Sequence, residues 1–139
     1  MSCKCVWKGP KRVHVCSECP PRVLVESPLN ADTQEGVEAN LAYARDCLAD
    51  CLRRGEAPFA SHLLYPQVLN DRIPAERTQG IEAGLTWGQA ADLTVVYTDL
   101  GISPGMQKGI ERAQSEARRV VYRKLHPSNP RHFQDTEQG

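Results

Sequence analysis

The fold is decided by the stretch Val95-Val96-Tyr97-Thr98-Asp99-Leu100-Gly101-Ile102-Ser103-Pro104-Gly105-Met106. Its beginning is typical of a buried strand, its middle of a tight polar turn, and its end of a helix start. Ser103 suits the N-cap position and Pro104 the first helical position. Gly105 lets a ligand approach the first N–H groups of the helix. Open α/β sheets hold sugars and phosphates at such junctions, so the stretch predicts a nucleotide-type site.

Composition limits the class of protein. The chain has 139 residues, which suits one compact domain with a small appendage. Its 17 basic side chains balance 17 acidic ones, and this balance disfavours a nucleic-acid partner because the chain has no strong positive field. No stretch has the apolar core of a signal peptide or the roughly 20 apolar residues of a membrane span. We therefore expect a cytoplasmic protein without a membrane partner.

Four of the 6 cysteines lie between residues 3 and 19. In a reducing cytoplasm this clustering favours a tetrahedral zinc site over disulfides. Residues 1–20 are therefore predicted to form a segment that folds around a structural zinc ion, although one pair has tighter spacing than usual and His14 could replace a thiolate. A flexible, partly oxidised tail is the alternative. The predicted metal ligands are Cys3, Cys5, Cys16 and Cys19.

Purified protein should accordingly carry about one zinc ion per chain. The physical reason is that clustered thiolates select soft metals such as zinc. Native mass spectrometry with metal analysis, after expression with zinc available, measures the stoichiometry. Replacing Cys16 and Cys19 by serine should remove the metal, whereas Cys47→Ser should not. Protein purified without stoichiometric zinc would contradict the prediction.

Beyond Pro20 and Pro21 the strand and helix patterns alternate, which is typical of parallel β-α units. We predict a small doubly wound (Rossmann-like) α/β domain over residues 21–125, with a mostly parallel sheet of four to five strands flanked by helices. Residues 126–139 have no periodicity and are expected to be a disordered tail. The predicted strands cover residues 22–26, 57–60, 92–97 and 119–123, and the predicted helices cover residues 32–54, 74–91 and 103–117.

Two details of the helices carry predictions of their own. Asp32 and Glu35 have the spacing of a capping box for the first helix, in which Cys47 and Cys51 are interpreted as packing residues. In the second helix a glycine recurs every fourth residue, at positions 80, 84 and 88. Each glycine costs a helix about 1 kcal/mol relative to alanine, so this face predicts close approach by another backbone: the sheet, another helix or a second subunit.

The residues that follow the predicted strands define a candidate site, because the carboxyl ends of parallel strands share one edge of the sheet. They combine acids, a hydroxyl group, an imidazole and a helix N-terminus, which suits a ribose carrying a phosphate or a base. His62 is interpreted as a residue that orients the loop or packs rather than as an acid or base, and Tyr65 as a packing residue rather than a ligand contact. The predicted ligand-binding residues are Ser27, Pro28, His62, Asp99, Ser103, Gly105 and Met106.

Five segments in this order resemble the nucleoside 2-deoxyribosyltransferase-like family, and above all its small phage and bacterial members. They are Glu26-Ser27-Pro28, His62-Leu63-Leu64-Tyr65-Pro66, Ala91-Asp92, Asp99 and Ser103-Pro104-Gly105-Met106. The resemblance covers residues 22–125 and excludes the cysteine segment. It implies the cytoplasm of a bacterium or of a phage-infected host cell. It also implies a homo-oligomer, because such proteins complete their crevices with a neighbouring subunit.

The enzymes of this family cleave N-glycosidic bonds through attack of a glutamate four residues after the glycine of the turn. Counted from Gly105, that position holds Gly109 in this chain. Glu111 lies about 200° further around a helix and does not replace the missing glutamate. Leu29 also stands where the family often has an aromatic residue. The chain therefore lacks the usual group for covalent catalysis.

Three functions remain open from the sequence. The first is a binding protein that senses or sequesters a nucleoside, a nucleotide or an ADP-ribose-like molecule. The second is an N-glycosidase or deoxyribosyltransferase in which Glu26 or Asp99 is catalytic. Glu26 is the stronger candidate, because burial at a strand end would raise the pKa of its carboxyl group. The third is a protein-interaction module that uses the zinc segment.

Overall fold

The computed structural model describes residues 19–125. Three of the predicted zinc ligands and residues 126–139 lie outside the described residues. The strands are β1 (Arg22–Glu26), β2 (Ala57–Phe59), β3 (Leu93–Tyr97) and β4 (Arg119–Arg123). The helices are α1 (Gln34–Arg53), α2 (Pro74–Gly88) and α3 (Pro104–Ser115), and two short 3₁₀ turns, Ser61–Leu63 and Tyr65–Gln67, precede α2.

The four strands form one parallel sheet in the order β2-β1-β3-β4. This confirms the predicted α/β fold with a small parallel sheet and flanking helices. β2 is an edge strand, where Pro58 is tolerated because an edge strand need not donate every ladder hydrogen bond. The chain runs from β1 outward to β2 and then back past β1 to β3, so strands β1 and β3 flank the topological switch point.

Alternation along β1 decides which side chains face each helical layer. Val23 and Val25 pack with Tyr43 and Cys47 of α1 in the larger core cluster, which also contains Cys51. This burial confirms that the two α1 cysteines are packing residues. The intervening Leu24 and Glu26 therefore face the opposite layer, which α2 and α3 form. Within that layer a smaller cluster joins Val96, Met106 and Ile110.

The helix ends agree only in part with the sequence. Ser103 caps α3 as predicted, with its Oγ accepting a hydrogen bond from the Met106 amide at 3.3 Å. The predicted capping box of α1 is wrong, because Thr33 is the N-cap and its Oγ1 accepts from the Gly36 amide at 3.0 Å. α3 ends at Ser115, earlier than predicted, since Ala117 adopts a left-handed conformation with φ of 55°. No helix within residues 19–125 is long and apolar enough to cross a membrane.

The glycine face of α2 packs against its own chain, and of the three predicted neighbours the sheet is the one in contact, through a side chain of β1. A Cβ at position 80 would lie 3.3 Å from Leu69 Cδ1, and one at position 88 would lie 2.8 Å from Leu24 Cδ2. A Cβ on Gly84 would overlap the side chain of Ser61 in the first 3₁₀ turn. The glycines thus let α2 lie close to β1 and to this turn, and they no longer support a subunit contact.

Gly84→Leu should therefore destabilise the monomer fold by about 1 to 3 kcal/mol, because the new side chain must displace Ser61. Urea unfolding measures this loss. Gly105→Ala is the matched control, since its methyl group would meet Ser103 Oγ at an ordinary 3.9 Å. Light scattering on the unaltered chain tests the expected homo-oligomer separately. A change in oligomeric state without a loss of monomer stability would contradict the internal packing role of Gly84.

Candidate functional site

A cavity of about 170 Å³ opens at the carboxyl end of β1, beside the N-terminus of α3. This is the switch point of the sheet, where open α/β proteins bind ligands. The cavity is smaller than the roughly 300 Å³ or more of typical ligand pockets, so it suits a single ring. The structure brings six of the predicted site residues together in its lining: Glu26, Ser27, His62, Ser103, Gly105 and Met106.

A second, open groove adjoins this cavity and shares Leu29, Asn30 and Asp71 with it. The groove runs between the first half of α1 and the segment before α2, and it encloses about 620 Å³. A ligand larger than one ring could therefore place its ring in the cavity and extend its remainder across Asn30 and Asp71. The lining of both spaces mixes apolar and polar groups, as ligand sites generally do.

Ser27 and His62 form a polar pair in the cavity wall. A hydrogen bond of 2.6 Å joins Ser27 Oγ to His62 Nε2, and the tautomer of the imidazole decides which atom donates. Burial lowers the pKa of His62 to about 4, so the ring is uncharged at neutral pH. The first 3₁₀ turn supplies His62, and Gly84 allows that turn to lie close to α2. The pair offers a ligand a neutral donor and a neutral acceptor.

The low pKa of His62 predicts a specific acid sensitivity. The unfolded chain binds a proton on this ring near pH 6.5, whereas the folded chain does so only near pH 4. Stability from this group is therefore lost as the pH falls through that interval, by about 3 kcal/mol in total. In urea unfolding between pH 4 and 7, His62→Gln should lose less stability than the unaltered chain. Parallel pH profiles for the two proteins would contradict the assignment.

Glu26 occupies the volume that a side chain at position 109 would fill. A Cβ built on Gly109 would overlap Oε1 of the Glu26 carboxyl group and lie 2.9 Å from its Oε2. The carboxyl group of β1 therefore rests directly on the backbone of α3, between the sheet and the cavity.

Burial raises the pKa of Glu26 to about 8, and the positive charge of Arg118 lowers it by less. The expected rise in the Glu26 pKa is thus confirmed. Arg118 forms its ion pair with Glu116 at 2.6 Å and donates from Nε to Thr94 Oγ1 at 2.9 Å, while its buried Nη2 has no hydrogen-bond partner within residues 19–125. Within residues 19–125 no hydrogen bond or ion pair engages the Glu26 carboxyl group. With a pKa of about 8, the protonated form of the carboxyl group predominates at neutral pH, and the group faces the cavity.

The N-terminus of α3 forms another wall of the cavity. Ser103 Oγ is used as the helix cap, and Met106 Sδ accepts from the Ser103 amide at 3.4 Å. The Met106 amide therefore already donates a hydrogen bond to Ser103 and is not available to a ligand, so fewer of the first N–H groups of α3 are free than the sequence predicted. The Gly105 amide is among the first amides of the helix, which have no acceptor within the helix. This amide and the positive end of the helix dipole favour an electron-rich ligand atom.

Sequence reasoning missed two charged residues of the lining, Asp71 and Arg77. With its amide oxygen turned toward Arg77, Asn30 accepts a hydrogen bond from Nη2 at 2.7 Å. No carboxylate in residues 19–125 forms an ion pair with Arg77. The signal was present in the sequence, since Arg77, Ile81 and Gly84 share one face of α2 at helical spacing, and an arginine on that face departs from the packing pattern.

The structure does not bring Asp99 or Pro28 to the cavity. Oδ2 of Asp99 accepts hydrogen bonds from the Tyr43 hydroxyl at 2.5 Å and from the Leu125 amide at 3.1 Å. These contacts tie the end of β3 to α1 and to the exit of β4, on the opposite side of the sheet from α3. Pro28 is buried but lies outside the lining. Tyr65 packs against α2 beside Gly80, in agreement with its predicted packing role.

No cluster of three or more potential metal ligands occurs in the described part of the chain, residues 19–125. Cys19 is the only predicted zinc ligand in that part, and it is partly buried. The zinc site therefore stays a prediction.

Fold and cavity together define a small parallel α/β protein with a partly polar cavity at its switch point. The chain belongs to the family described as a domain of unknown function (DUF7768), whose profile matches residues 21–123. The match covers the sheet and the cavity and excludes the cysteine segment. No curated protein matches the chain.

Proposed function

We propose that the protein binds a nucleoside or nucleotide, with one ring in the cavity and the remainder in the adjoining groove. The observation that carries this proposal is the composition of the cavity wall. A neutral Ser27–His62 pair, the protonated Glu26 and the amino end of α3 surround a space that suits one ring. A base or sugar ring requires such a mixture of neutral donors and acceptors.

Arg77 supports the same ligand class from the cavity mouth. Its guanidinium has an amide partner, Asn30, and no ion pair in the described chain, so it can take a phosphate without breaking a salt bridge. A nucleoside monophosphate has the matching arrangement, with its ring enclosed and its phosphate at the surface. The overall charge balance again argues against a polymeric nucleic acid.

A thermal-shift and calorimetric screen tests the proposal against nucleosides, 2′-deoxynucleoside 5′-monophosphates, NAD and ADP-ribose. A ligand at 100 times its Kd should add about 2.7 kcal/mol to the free energy of unfolding. Ser27→Ala and Arg77→Gln should weaken binding about tenfold or more, because each removes a direct polar contact. Ser115→Ala and Arg45→Gln are the matched controls on exposed helix surfaces. No saturable binding by any compound would overturn the proposal.

The position of Glu26 over Gly109 favours a second candidate, hydrolysis or transfer at an N-glycosidic bond. A carboxyl group with a raised pKa is typical of the acid in glycoside cleavage. Release of free base from nucleosides and 5′-monophosphates, followed by chromatography, tests this activity. Turnover that disappears in Glu26→Gln would establish the enzyme. Saturable binding without turnover would leave the binding protein as the function.

A further inference from the structure

We propose that Glu26 engages the ligand as an uncharged carboxylic acid and donates a hydrogen bond to an acceptor atom of the enclosed ring. The acceptor is a ring nitrogen, a carbonyl oxygen or the nitrogen of a glycosidic bond. The inference deepens the proposed function and rests on its cavity. Glu26 then selects the ligand as a neutral hydrogen-bond donor. It does not act as a carboxylate that binds the ligand through its negative charge or attacks its anomeric carbon.

The surroundings of the Glu26 carboxyl group disfavour its charged form. Its oxygens lie against the backbone of α3 at Gly109, where an added Cβ would overlap them. A carboxylate without a partner in such a place is costly, because burial removes its hydration and supplies no replacement. The protonated form avoids this cost. It still has one O–H donor, and the cavity is the space in which an acceptor can reach it.

The charged groups around Glu26 do not alter this conclusion. On β1 itself the next residue, Ser27, is bonded to the neutral His62. From the chain before β4, Arg118 pairs with Glu116 through Nη1 and keeps a buried Nη2 without a partner in residues 19–125; its charge lowers the Glu26 pKa by less than burial raises it.

The remaining packed elements place their charges elsewhere. Arg77 of α2 and Asp71 of the segment before it line the mouth of the cavity, and their charges are opposite in sign. On α3, Lys108 and Glu111 are exposed and line a separate groove.

This role has a chemical consequence for the second candidate function. In hydrolysis of an N-glycoside the bond between the anomeric carbon and the base breaks, and its electron pair goes to the base nitrogen. Glu26 would give its proton to that nitrogen, while a water oxygen bonds to the anomeric carbon and returns a proton to the Glu26 carboxylate. Atoms and charge balance without another reactant. Glu26 is then a general acid, since attack on carbon would require its ionised form.

The first test measures the charge of Glu26 without any ligand. Carbon-13 NMR of protein labelled at glutamate carboxyl groups follows each titration, and Glu26→Gln identifies the signal by its loss. A midpoint within about one unit of the expected value of about 8 would support the inference. A midpoint near the ordinary value of 4.5 would overturn it.

The second test measures binding of dAMP and dCMP between pH 7 and 9, an interval above the phosphate pKa of about 6. The affinity of the unaltered chain should fall as Glu26 ionises, approaching tenfold per pH unit above the midpoint. Glu26→Gln, which still carries N–H donors, should bind within about threefold of the unaltered chain at pH 7 and lose this pH dependence. Glu26→Ala should lose at least about tenfold, and Glu38→Gln, on exposed α1 surface, should change nothing.

The outcomes separate this inference from the proposed function. Binding that is independent of pH from 7 to 9, or that strengthens as the pH rises, would overturn the donor role and leave nucleotide binding standing. If neither nucleotide nor any other compound of the screen binds, the proposed function fails. The donor role then fails with it, because it requires a bound ligand, and the carbon-13 titration decides only whether the Glu26 carboxyl group is protonated at neutral pH.

Discussion

Gly109→Ala should lower the pKa of Glu26 by at least about one unit, equivalent to about 1.4 kcal/mol between its two protonation states. The physical reason is that a methyl group at position 109 and the Glu26 carboxyl group cannot occupy the same volume. The carboxyl group is the flexible partner, so it must move away from the α3 backbone toward the open cavity. There it regains hydration, which removes part of the burial that now raises its pKa.

Carbon-13 NMR titration of labelled glutamate measures the change directly. For this titration alone, Gly105→Ala is the matched control, because it lies on the same helix and its methyl group has ordinary room. In a thermodynamic cycle of binding, Gly109→Ala should weaken a nucleotide about tenfold in the unaltered chain and much less in a Glu26→Ala background. An unchanged Glu26 pKa in Gly109→Ala would show that this pKa does not depend on the absence of a side chain at position 109.

Arg123→Met should be among the most destabilising single changes in this chain, with a cost of about 3 to 5 kcal/mol. Arg123 donates to both carboxylate oxygens of Glu56, at 2.7 and 3.0 Å, and the two side chains are only 13% and 12% exposed. The same guanidinium reaches the Tyr97 hydroxyl at 3.4 Å. Its removal would leave the Glu56 charge nearly buried without a partner.

Urea unfolding of three variants, each compared with the unaltered chain, tests this expectation. Arg112→Met is the control, since Arg112 forms an equally short pair with Glu116 at 2.6 Å but lies 30% exposed, where water and salt screen ion pairs. The double variant Glu56→Leu/Arg123→Met should recover much of the loss, because it removes both charges. If Arg123→Met costs no more than Arg112→Met, the pair does not stabilise the fold as its burial implies.

Local patterns in the sequence were sufficient for the strands and for the start of α3. β1 and β4 have the predicted bounds, because each contains a short unbroken apolar run; the run of β1 is buried on both faces, whereas β4 is a partly exposed edge strand. Ser103 and Pro104 determine the start of α3 through capping and a fixed backbone angle, which depend on adjacent residues alone. The carboxyl-end location of the cavity then followed from the parallel topology.

Helix caps and glycines show where local reasoning failed. Asp32 and Thr33 are both good N-cap residues, and the choice of Thr33 depends on how the chain enters α1. The glycine face of α2 has the spacing of a close contact, but the spacing does not say what makes that contact. The contacting groups, Leu24 and Ser61, come from two other parts of the chain.

The sequence by itself therefore determined a parallel α/β domain, the edge of the sheet at which the candidate site lies and the raised pKa expected for Glu26. Tertiary structure decided which side chains share that site. The Glu26 carboxyl group lies against Gly109, and Arg77 lies at the mouth of the cavity. Asp99 accepts a hydrogen bond from Tyr43 on the opposite face of the sheet. Periodicity and capping act between near neighbours and can be predicted from sequence, whereas these contacts join residues far apart in the chain and depend on how the helical layers pack on the sheet.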